Sequence, residues 1–315
     1  MAQKVGEMSI NPAHSHPKTV IVVAGATASG KTALGIALAQ FFNTGVLSAD
    51  SRQCYREMTI GTAKPTPAEQ QAAPHFFIDT HSIHDEVNAA VYEQYGLEVL
   101  DRLFAQSDVA VVCGGTGLYI KALLEGIDEM PDVDETVKAT VAAQYHAQGK
   151  IWLQEQLLQH DPLFAAKGEM ENPARMQRAL TFVLSTGQSL LTYHAGKPKP
   201  RNFNVIKLAI ELNREVLYQR INQRVDGMMQ AGQLEEARAL YPQRELKPLQ
   251  TVGYSELFAY FDGDCTLDFA IDKIKQHTRN YAKRQLTWFR KDKAYHWVNA
   301  TDVSGVLAWI QQQLA

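Results

Sequence analysis

Cysteine is scarce in this sequence. Its 315 residues include three cysteines, Cys54, Cys113 and Cys265, which lie far apart and form no Cys-x-x-Cys pair. This spacing disfavours both a disulfide framework and a structural zinc site. It fits the reducing environment of the cytoplasm, where we expect the protein to act.

Long apolar runs and an excess of positive charge are also missing. No run of eighteen apolar residues occurs, so no membrane-spanning helix is expected. Residues 1–18 are polar and lack the apolar core of a signal peptide, and we interpret them as a mobile tail. Because the formal net charge is -3, any contact with nucleic acid must use a local basic surface. Nothing indicates an obligate partner chain, and a monomer is expected.

Strand and helix signals alternate in the first part of the chain. Thr19–Val23 is a continuous apolar run, typical of a strand that is buried on both faces. A helix over Lys31–Phe42 follows, then a short strand over Gly45–Asp50, a helix that begins after the N-cap Asn88, and a strand over Asp108–Cys113. This order predicts an α/β fold: a parallel sheet flanked by helices, with ligands at the carboxyl ends of the strands.

Strand signals disappear between Met130 and Tyr193, where helical patterns replace them. We predict an α/β core of residues 19–129 and 200–315 and an all-helical insertion of residues 130–199, with a hinge at 196–200. The core resumes with a strand over Val205–Ile210 and a helix with an apolar stripe. A last long helix, from about Thr266 to Arg290, has four basic residues close to one face, Lys275, Arg279, Lys283 and Arg290.

A phosphate-binding loop lies between the first strand and the first helix. It matches G-x-x-x-x-G-K-[ST] in full, over Gly25, Ala26, Thr27, Ala28, Ser29, Gly30, Lys31 and Thr32. Glycines let backbone amides converge on phosphate oxygens, Lys31 adds a charge, and the Thr32 hydroxyl is suited to Mg²⁺. Most such loops bind ATP or GTP, so a nucleotide-binding or ATP-binding protein, such as a kinase of a nucleotide or small molecule, is the default interpretation.

Six blocks that follow this loop resemble the tRNA dimethylallyltransferase family, also called tRNA isopentenyltransferases. They are Asp50–Pro65, Gly114–Tyr119, Asn172–Leu180, Arg220–Asp226, Thr251–Tyr254 and Ala282–Arg290. The resemblance covers residues 19 to 293 in order. It departs from the family pattern at Ala26, where proline is usual, and at Phe76, where a second histidine is common.

The resemblance implies a P-loop NTPase-like fold that transfers a dimethylallyl group from dimethylallyl diphosphate to N6 of an adenosine next to the tRNA anticodon. The loop residues would bind the diphosphate with Mg²⁺ and with Arg224, while Arg220 is left open between the same role and a solvated arginine. Asp50 would remove the proton of the adenine amine, although an acid here could instead bind magnesium or cap a helix. Thr116 would position the amine or the diphosphate, or else only stabilise its turn.

The resemblance also implies contacts with the tRNA anticodon stem-loop, whose target base must be turned out of its stack. The candidates are Asp50, Ser51, Arg52, Gln53, Thr116, Lys138, Ala174, Arg175, Met176, Gln177, Arg178, Gln250, Thr251, Val252, Gly253 and Tyr254. Two segments with a local basic excess could contact phosphates: residues 175–207 have six basic and no acidic residues, and residues 271–295 have eight against two.

Three rival functions remain at this point. One is the kinase, a second is a non-catalytic RNA-binding protein that senses a phosphate ligand, and a third is an adenylate isopentenyltransferase that acts on free nucleotide. The long basic segments favour tRNA over a free nucleotide. We assign no role to His75, His81 and His84, whose spacing suits no metal site, nor to the aromatic residues Trp288, Phe289 and Trp297, since such residues are more often core.

Overall fold

The computed structural model describes residues 17–128, 130–193 and 198–315. The predicted tail therefore lies almost entirely outside the described residues, as do positions 196 and 197 of the predicted hinge. The chain divides into two units. Residues 126–199 form one, and the residues before 126 together with residues 200–315 form the other.

A single sheet organises the larger unit. Its strands, within the described residues, are β1 (Thr19–Ala24), β2 (Val46–Ala49), β3 (His75–Phe76), β4 (Val109–Gly114), β5 (Asn204–Ile210) and β6 (His296–Val298). They lie in the order β3-β2-β4-β1-β5-β6, and every adjacent pair is parallel. The predicted α/β class is confirmed. β3 has only two residues and leaves no periodic signal in the sequence.

Helices make up most of the remaining structure. Those in the described residues are α1 (Lys31–Phe41), α2 (Pro67–Ala72), α3 (Ala89–Phe104), α4 (Gly117–Glu125), α5 (Glu135–His160), α6 (Pro162–Lys167), α7 (Pro173–Thr186), α8 (Arg214–Gln230), α9 (Gln233–Leu240), α10 (Ser255–Phe261), α11 (Leu267–Lys291) and α12 (Val303–Leu314). Short 3-10 turns occur at Leu190–Thr192, Tyr241–Gln243 and Lys247–Leu249. In the part of the chain that the structure describes, no helix is both long enough and apolar enough to cross a bilayer.

Burial on both faces explains why the central strands are apolar throughout. All residues of β1 and β4 are buried, and the two strands pair in register from Thr19 opposite Val109 to Ala24 opposite Gly114. The predicted N-cap of α3 is also found: Asn88 Oδ1 accepts hydrogen bonds from the backbone N–H groups of Ala90 (2.9 Å) and Val91 (3.1 Å). Local sequence signals thus set both the strands and the helix ends.

The helix that closes the larger unit was not anticipated from the sequence. Asp302 caps α12, and Val306 and Ile310 are buried in the same apolar cluster as Ile21 of β1 and Leu208 of β5. This short helix shields one face of the sheet from water, which a parallel sheet requires on both faces.

The smaller unit contains helices and, among its described residues, no strand. α5 is interrupted at Gly149, whose φ of 76° is left-handed. Leu153 and Leu157 of α5 and Met176 and Leu180 of α7 form its apolar core. The unit therefore has a core of its own.

At Gly114, the last residue of β4, the backbone of β4 lies very close to that of β2. A β-carbon there would lie 2.2 Å from the carbonyl oxygen of Ala49. Since backbone cannot move aside cheaply, we expect Gly114→Ala to lower the free energy of unfolding by about 2 kcal/mol, measured by urea denaturation. Gly227→Ala on α8 is the control: its β-carbon meets no described atom within 4 Å, and it should stabilise the protein by about 1 kcal/mol. A Gly114→Ala protein as stable as wild type would contradict this account of the strand contact.

Candidate functional site

Three loops converge at the carboxyl edge of the sheet. β2, β4 and β1 are neighbours, and the chain leaves them through Asp50, through Gly115–Thr116 and through Gly25–Gly30 respectively. Adjacent strands lie about 4.8 Å apart. The sheet therefore gathers the predicted catalytic residues and the phosphate loop at one edge, as expected for an open α/β sheet.

The phosphate loop ends in a helix whose first amides have no capping side chain. Gly30 precedes α1 with a φ of 98°, a left-handed conformation that favours glycine, and it makes no side-chain cap. The free N–H groups and the positive end of the helix dipole make this terminus suitable for an anion. Ala26, the departure from the family pattern, is buried beside Leu217 and Ile221 of α8.

Two cationic side chains lie at this loop. Lys31 Nζ donates a hydrogen bond to the Ala26 carbonyl (3.3 Å), and Arg224 Nη1 donates one to Thr27 Oγ1 (3.4 Å). Burial lowers the pKa of Lys31, and the charge of Arg224 adds to this effect, while Cys113 and Asp50 oppose it. Burial also lowers the pKa of Arg224. A bound anion would relieve this cost of desolvated positive charge.

Arg220, one helical turn before Arg224, approaches the loop as well. Its Nη1 would lie 3.8 Å from a β-carbon placed on Gly30. The four-residue spacing therefore brings the guanidinium groups of Arg220 and Arg224 to the phosphate loop, as the shared helix face predicts.

Asp50 is held by the turn that it begins. Its Oδ1 accepts hydrogen bonds from the backbone N–H groups of Arg52 (2.9 Å) and Gln53 (3.3 Å). Its Oδ2 receives no hydrogen bond from the described residues. One oxygen thus orients the carboxylate, and the other has no hydrogen-bond donor among the described residues.

Thr116 lies directly across from Asp50. Its backbone N–H donates to the carbonyl of Ala49 (3.0 Å), and its Oγ1 accepts from the N–H of Ser51 (3.1 Å). The hydroxyl oxygen therefore stabilises the turn after β2, the simpler of its two suggested roles. A contact with substrate stays a prediction.

Two residues of α11 belong to the site although the sequence analysis did not single them out. The side chain of Tyr281 lies close to that of Thr116; burial, and then the charge of Asp50, raise the pKa of Tyr281 to about 12. Gln285 is buried and bonds to both glycine loops. Tyr281, Gln285 and Trp288 recur at helical spacing, and that periodicity was the available signal.

The aromatic residues at the end of α11 differ from one another. Phe289 is fully buried, as the core interpretation predicts. Trp288 is 43% exposed, and its indole would lie 2.1 Å from a β-carbon on Gly117. The core interpretation is therefore wrong for Trp288, because the helix turns its side chain toward the loop after β4 instead of into the interior.

Several predicted tRNA contacts are side chains that the fold already uses. Gln53 accepts from Ser48 Oγ (3.1 Å) and donates to the carbonyls of Thr62 and Ala63 (3.3 and 3.0 Å), so its amide holds a turn. The Met176 and Tyr254 side chains are fully buried. Their contacts with tRNA stay predictions, and the structure gives all three side chains a role in packing or in holding a turn.

Other predicted contacts lie at the surface but have partners. Arg175 pairs with Glu169, and Lys138 with Glu135 (2.9 Å). On the basic face of α11, Lys275 pairs with Asp226 of α8 (2.6 Å), and Arg279 Nη1 donates to Asn222 Oδ1 (2.7 Å). Part of that face therefore joins two helices. Lys275 and Arg279 therefore have partners on α8, so fewer charges of this face are unpaired than the sequence predicts.

Glu236 of α9 holds the loop that follows the Asp50 turn. Its Oε2 accepts from the N–H groups of Thr59 (3.0 Å) and Ile60 (2.8 Å). Its Oε1 accepts from the N–H of Gly61 (2.9 Å) and from the hydroxyl of Tyr254 (2.6 Å). One carboxylate thus satisfies four donors and fixes residues 59–61.

We expect Glu236→Gln to lower the free energy of unfolding by about 2 kcal/mol, because its NH₂ group would face backbone donors. Chemical denaturation measures the loss, and amide hydrogen exchange at Ile60 and Gly61 localises it. Glu235→Gln, next along the helix at an exposed position, is the control and should leave both unchanged. Equal stability of the two variants would contradict the conclusion that Glu236 fixes residues 59–61.

The residues that could hold a metal ion are few. The described residues contain no group of three or more His, Cys, Asp or Glu side chains placed to bind one. The Thr32 hydroxyl lies in the first turn of α1, beside Lys31. Hydroxyl and phosphate oxygens with water suit Mg²⁺, which is usually bound through substrate phosphates and few protein ligands. The site therefore fits an ion that arrives with a phosphorylated substrate.

Comparison with protein families gives a match over most of the chain. The family described as IPP transferase matches residues 53–292. The tRNA dimethylallyltransferase of Cytophaga hutchinsonii is 43% identical over 297 residues, covering 94% of this chain and 98% of that protein. The tRNA dimethylallyltransferase of Flavobacterium johnsoniae is 44% identical over 304 residues, covering 94% and 98%. The resemblance inferred from the motifs is confirmed.

Comparison with solved structures supports the same family. The full-length tRNA isopentenylpyrophosphate transferase of Bacillus halodurans superposes with a TM-score of 0.70 at 32% identity, covering 94% of this chain and 97% of that chain. A eukaryotic dimethylallyltransferase acting on tRNA gives a TM-score of 0.73 at 26% identity, covering 91% and 75%. The whole α/β architecture, with its helical insertion, is therefore shared with enzymes of this type.

Proposed function

This chain belongs to the IPP transferase family, and from that premise we propose that it transfers the dimethylallyl group of dimethylallyl diphosphate to N6 of an adenosine next to the anticodon of tRNA. It is a tRNA dimethylallyltransferase by family, as its relatives are. Among the observations on the site, the one that carries the proposal is the meeting of the phosphate loop, Asp50 and Thr116 at one edge of the sheet.

Asp50 acts as the general base in this proposal. The amine lone pair of adenine is delocalised into the ring and is a weak nucleophile, so removing a proton during attack assists it. A new bond forms between N6 and the allylic carbon as the bond from that carbon to the diphosphate oxygen breaks. The proton passes from N6 to Asp50, whose Oδ1 is already held by two backbone donors.

The phosphate loop stabilises the leaving group. Negative charge grows on the bridging oxygen as the bond breaks, and preorganised donors at that place lower the barrier. The amides at the start of α1, Lys31 and Arg224 supply such donors, with Arg220 close by. Mg²⁺, held by Thr32 and the diphosphate oxygens, would neutralise part of the same charge.

The acceptor is proposed to be the anticodon stem-loop of tRNA. Ser51 and Arg52 follow the catalytic carboxylate directly, and Arg178 of the helical unit is exposed. Loop RNA can present an unstacked base to such side chains. Together with the free thiols of the three cysteines, a tRNA substrate supports a cytoplasmic location.

One experiment tests the reaction. The purified protein is incubated with Mg²⁺, unmodified tRNA and radiolabelled dimethylallyl diphosphate, and parallel reactions supply AMP as acceptor or ATP labelled in its γ-phosphate. We expect label on tRNA without any need for ATP. Label on AMP alone would indicate the free-nucleotide enzyme, and transfer of the γ-phosphate without labelled tRNA would indicate a kinase.

A further inference from the structure

One buried side chain joins the two glycine loops of the site. Gln285 Oε1 accepts a hydrogen bond from the backbone N–H of Thr27 in the phosphate loop (2.9 Å). Gln285 Nε2 donates to the carbonyl of Gly115 in the loop after β4 (2.9 Å). A single amide, 6% exposed, therefore spans two loops that lie 170 and 258 residues away in the sequence.

The Gln285 amide connects the loop proposed to bind the diphosphate with the loop next to the proposed general base. Thr27 belongs to the loop that binds the leaving diphosphate, whereas Gly115 precedes Thr116, which supports the turn of the general base. The distance between these two loops determines how the electrophile and the acceptor amine meet. Both polar atoms of Gln285 are bonded to backbone groups of the two loops, and its side chain is buried.

The contact between the loops is also close. A β-carbon on Gly115 would lie 2.1 Å from Gln285 Nε2 and 3.1 Å from the carbonyl oxygen of Gly25. The loops therefore approach each other directly, and the amide fills the space that glycine leaves. On the same side of α11, Tyr281 lies close to Thr116 one turn before Gln285. Helix α11 thus contacts the loop after β4 at successive turns.

We propose that Gln285 is a positioning residue of the transfer reaction: it sets the spacing between the diphosphate loop and the loop that carries Thr116, and so aligns the allylic carbon with the acceptor amine. The inference rests on the proposed function for the identity of the substrates. It predicts a loss in turnover that exceeds any loss in binding, because the bonds of Gln285 hold the two loops and the proposed role assigns it no contact with substrate.

Gln285→Met tests the inference. Methionine is similar in size and apolar, but it bonds to neither loop, so the loops can shift. A misplacement of about 1 Å can cost about 10²-fold in rate, and we expect kcat to fall by that order while the Kd values for diphosphate and tRNA, measured separately, stay near wild type. Gln276→Met, at an exposed position on the same helix, is the matched control and should keep wild-type kcat.

A readout independent of activity accompanies the kinetics. Hydrogen exchange at the Thr27 amide should be faster in Gln285→Met than in wild type, because its acceptor is gone. If the folded variant retained wild-type kcat, or lost only what its unfolded fraction explains, the positioning role would be overturned. If wild type itself transferred nothing to tRNA, the proposed function would fail, and the exchange result would still report on the loop contact.

Gln285→Glu separates positioning from simple packing. The carboxylate keeps the acceptor for Thr27 but faces the Gly115 carbonyl with a second acceptor, and burial beside that oxygen raises its pKa. Once protonated, it donates to Gly115 again. The ratio of variant to wild-type kcat should therefore rise as the pH falls from about 8 to about 6, whereas a pH-independent ratio would contradict the role of this hydrogen bond.

Discussion

Asp50→Asn should abolish most turnover and leave both substrates bound. Asparagine keeps an oxygen that can accept from the Arg52 and Gln53 amides, so the turn should survive, but it cannot take a proton from the adenine amine. We expect kcat to fall by about 10³-fold, within the range for loss of a general base. Single-turnover transfer of labelled dimethylallyl groups to tRNA measures the chemical step directly.

The control for this variant is Asp101→Asn on α3, an exposed carboxylate in the same unit. It removes the same charge from the protein and should leave turnover unchanged. Filter binding of tRNA and calorimetric titration with a non-reactive diphosphate establish that Asp50→Asn still binds. Near-normal turnover in Asp50→Asn would show that another group, or solvent, accepts the proton.

Lys31→Met should weaken the binding of diphosphate and slow its departure. Methionine fills similar space but carries no charge. Burial already lowers the pKa of Lys31, so its positive charge lies in a poorly solvated place, where it acts strongly on an anion. We expect kcat/KM for dimethylallyl diphosphate to fall by about 10²- to 10³-fold, the cost of removing one preorganised donor to developing charge.

The affinity for tRNA alone should not change in Lys31→Met, because the proposed function assigns the loop to the diphosphate of the donor substrate. Lys121→Met is a suitable control: this lysine is exposed on α4 and, among the described residues, forms only a long surface pair with Glu125 (3.9 Å). If Lys31→Met bound diphosphate as wild type does, the loop would have a purely structural role.

The strongest local patterns were sufficient to predict the architecture. The continuous apolar strands β1 and β4 and the cap at Asn88 are each found at or within one residue of the predicted positions. Several short elements were not predicted because their signals are weak. Among them, β3 has two residues, and α12 has one short apolar stripe at the end of the chain. The sheet determines where both elements lie: β3 pairs at its edge, and α12 packs on a face that would otherwise be exposed to water.

For the residues around the site, too, the sequence predicted some roles and not others. The spacing of the phosphate loop and the position of Asp50 after a strand can be recognised in the amino-acid sequence alone. The function of a neighbouring amide is not: Gln53 and Gln285 are the same residue type in blocks of equal resemblance, yet one holds the turn after Asp50 and the other joins the two glycine loops. Only the surrounding backbone donors and acceptors distinguish them.

Local chemistry thus defined the phosphate loop, the strand-loop-helix order and the family, because these depend on residue types at short spacing. Tertiary structure decided which charged side chains lie close enough to interact. Strand order brings Asp50 and Thr116 beside the loop, and helix packing leads Lys275 to Asp226 instead of to RNA. The reason is physical: hydrogen bonds and desolvation act over a few ångströms, and pairs such as Thr27 and Gln285, 258 residues apart in the sequence, come within that range only after folding.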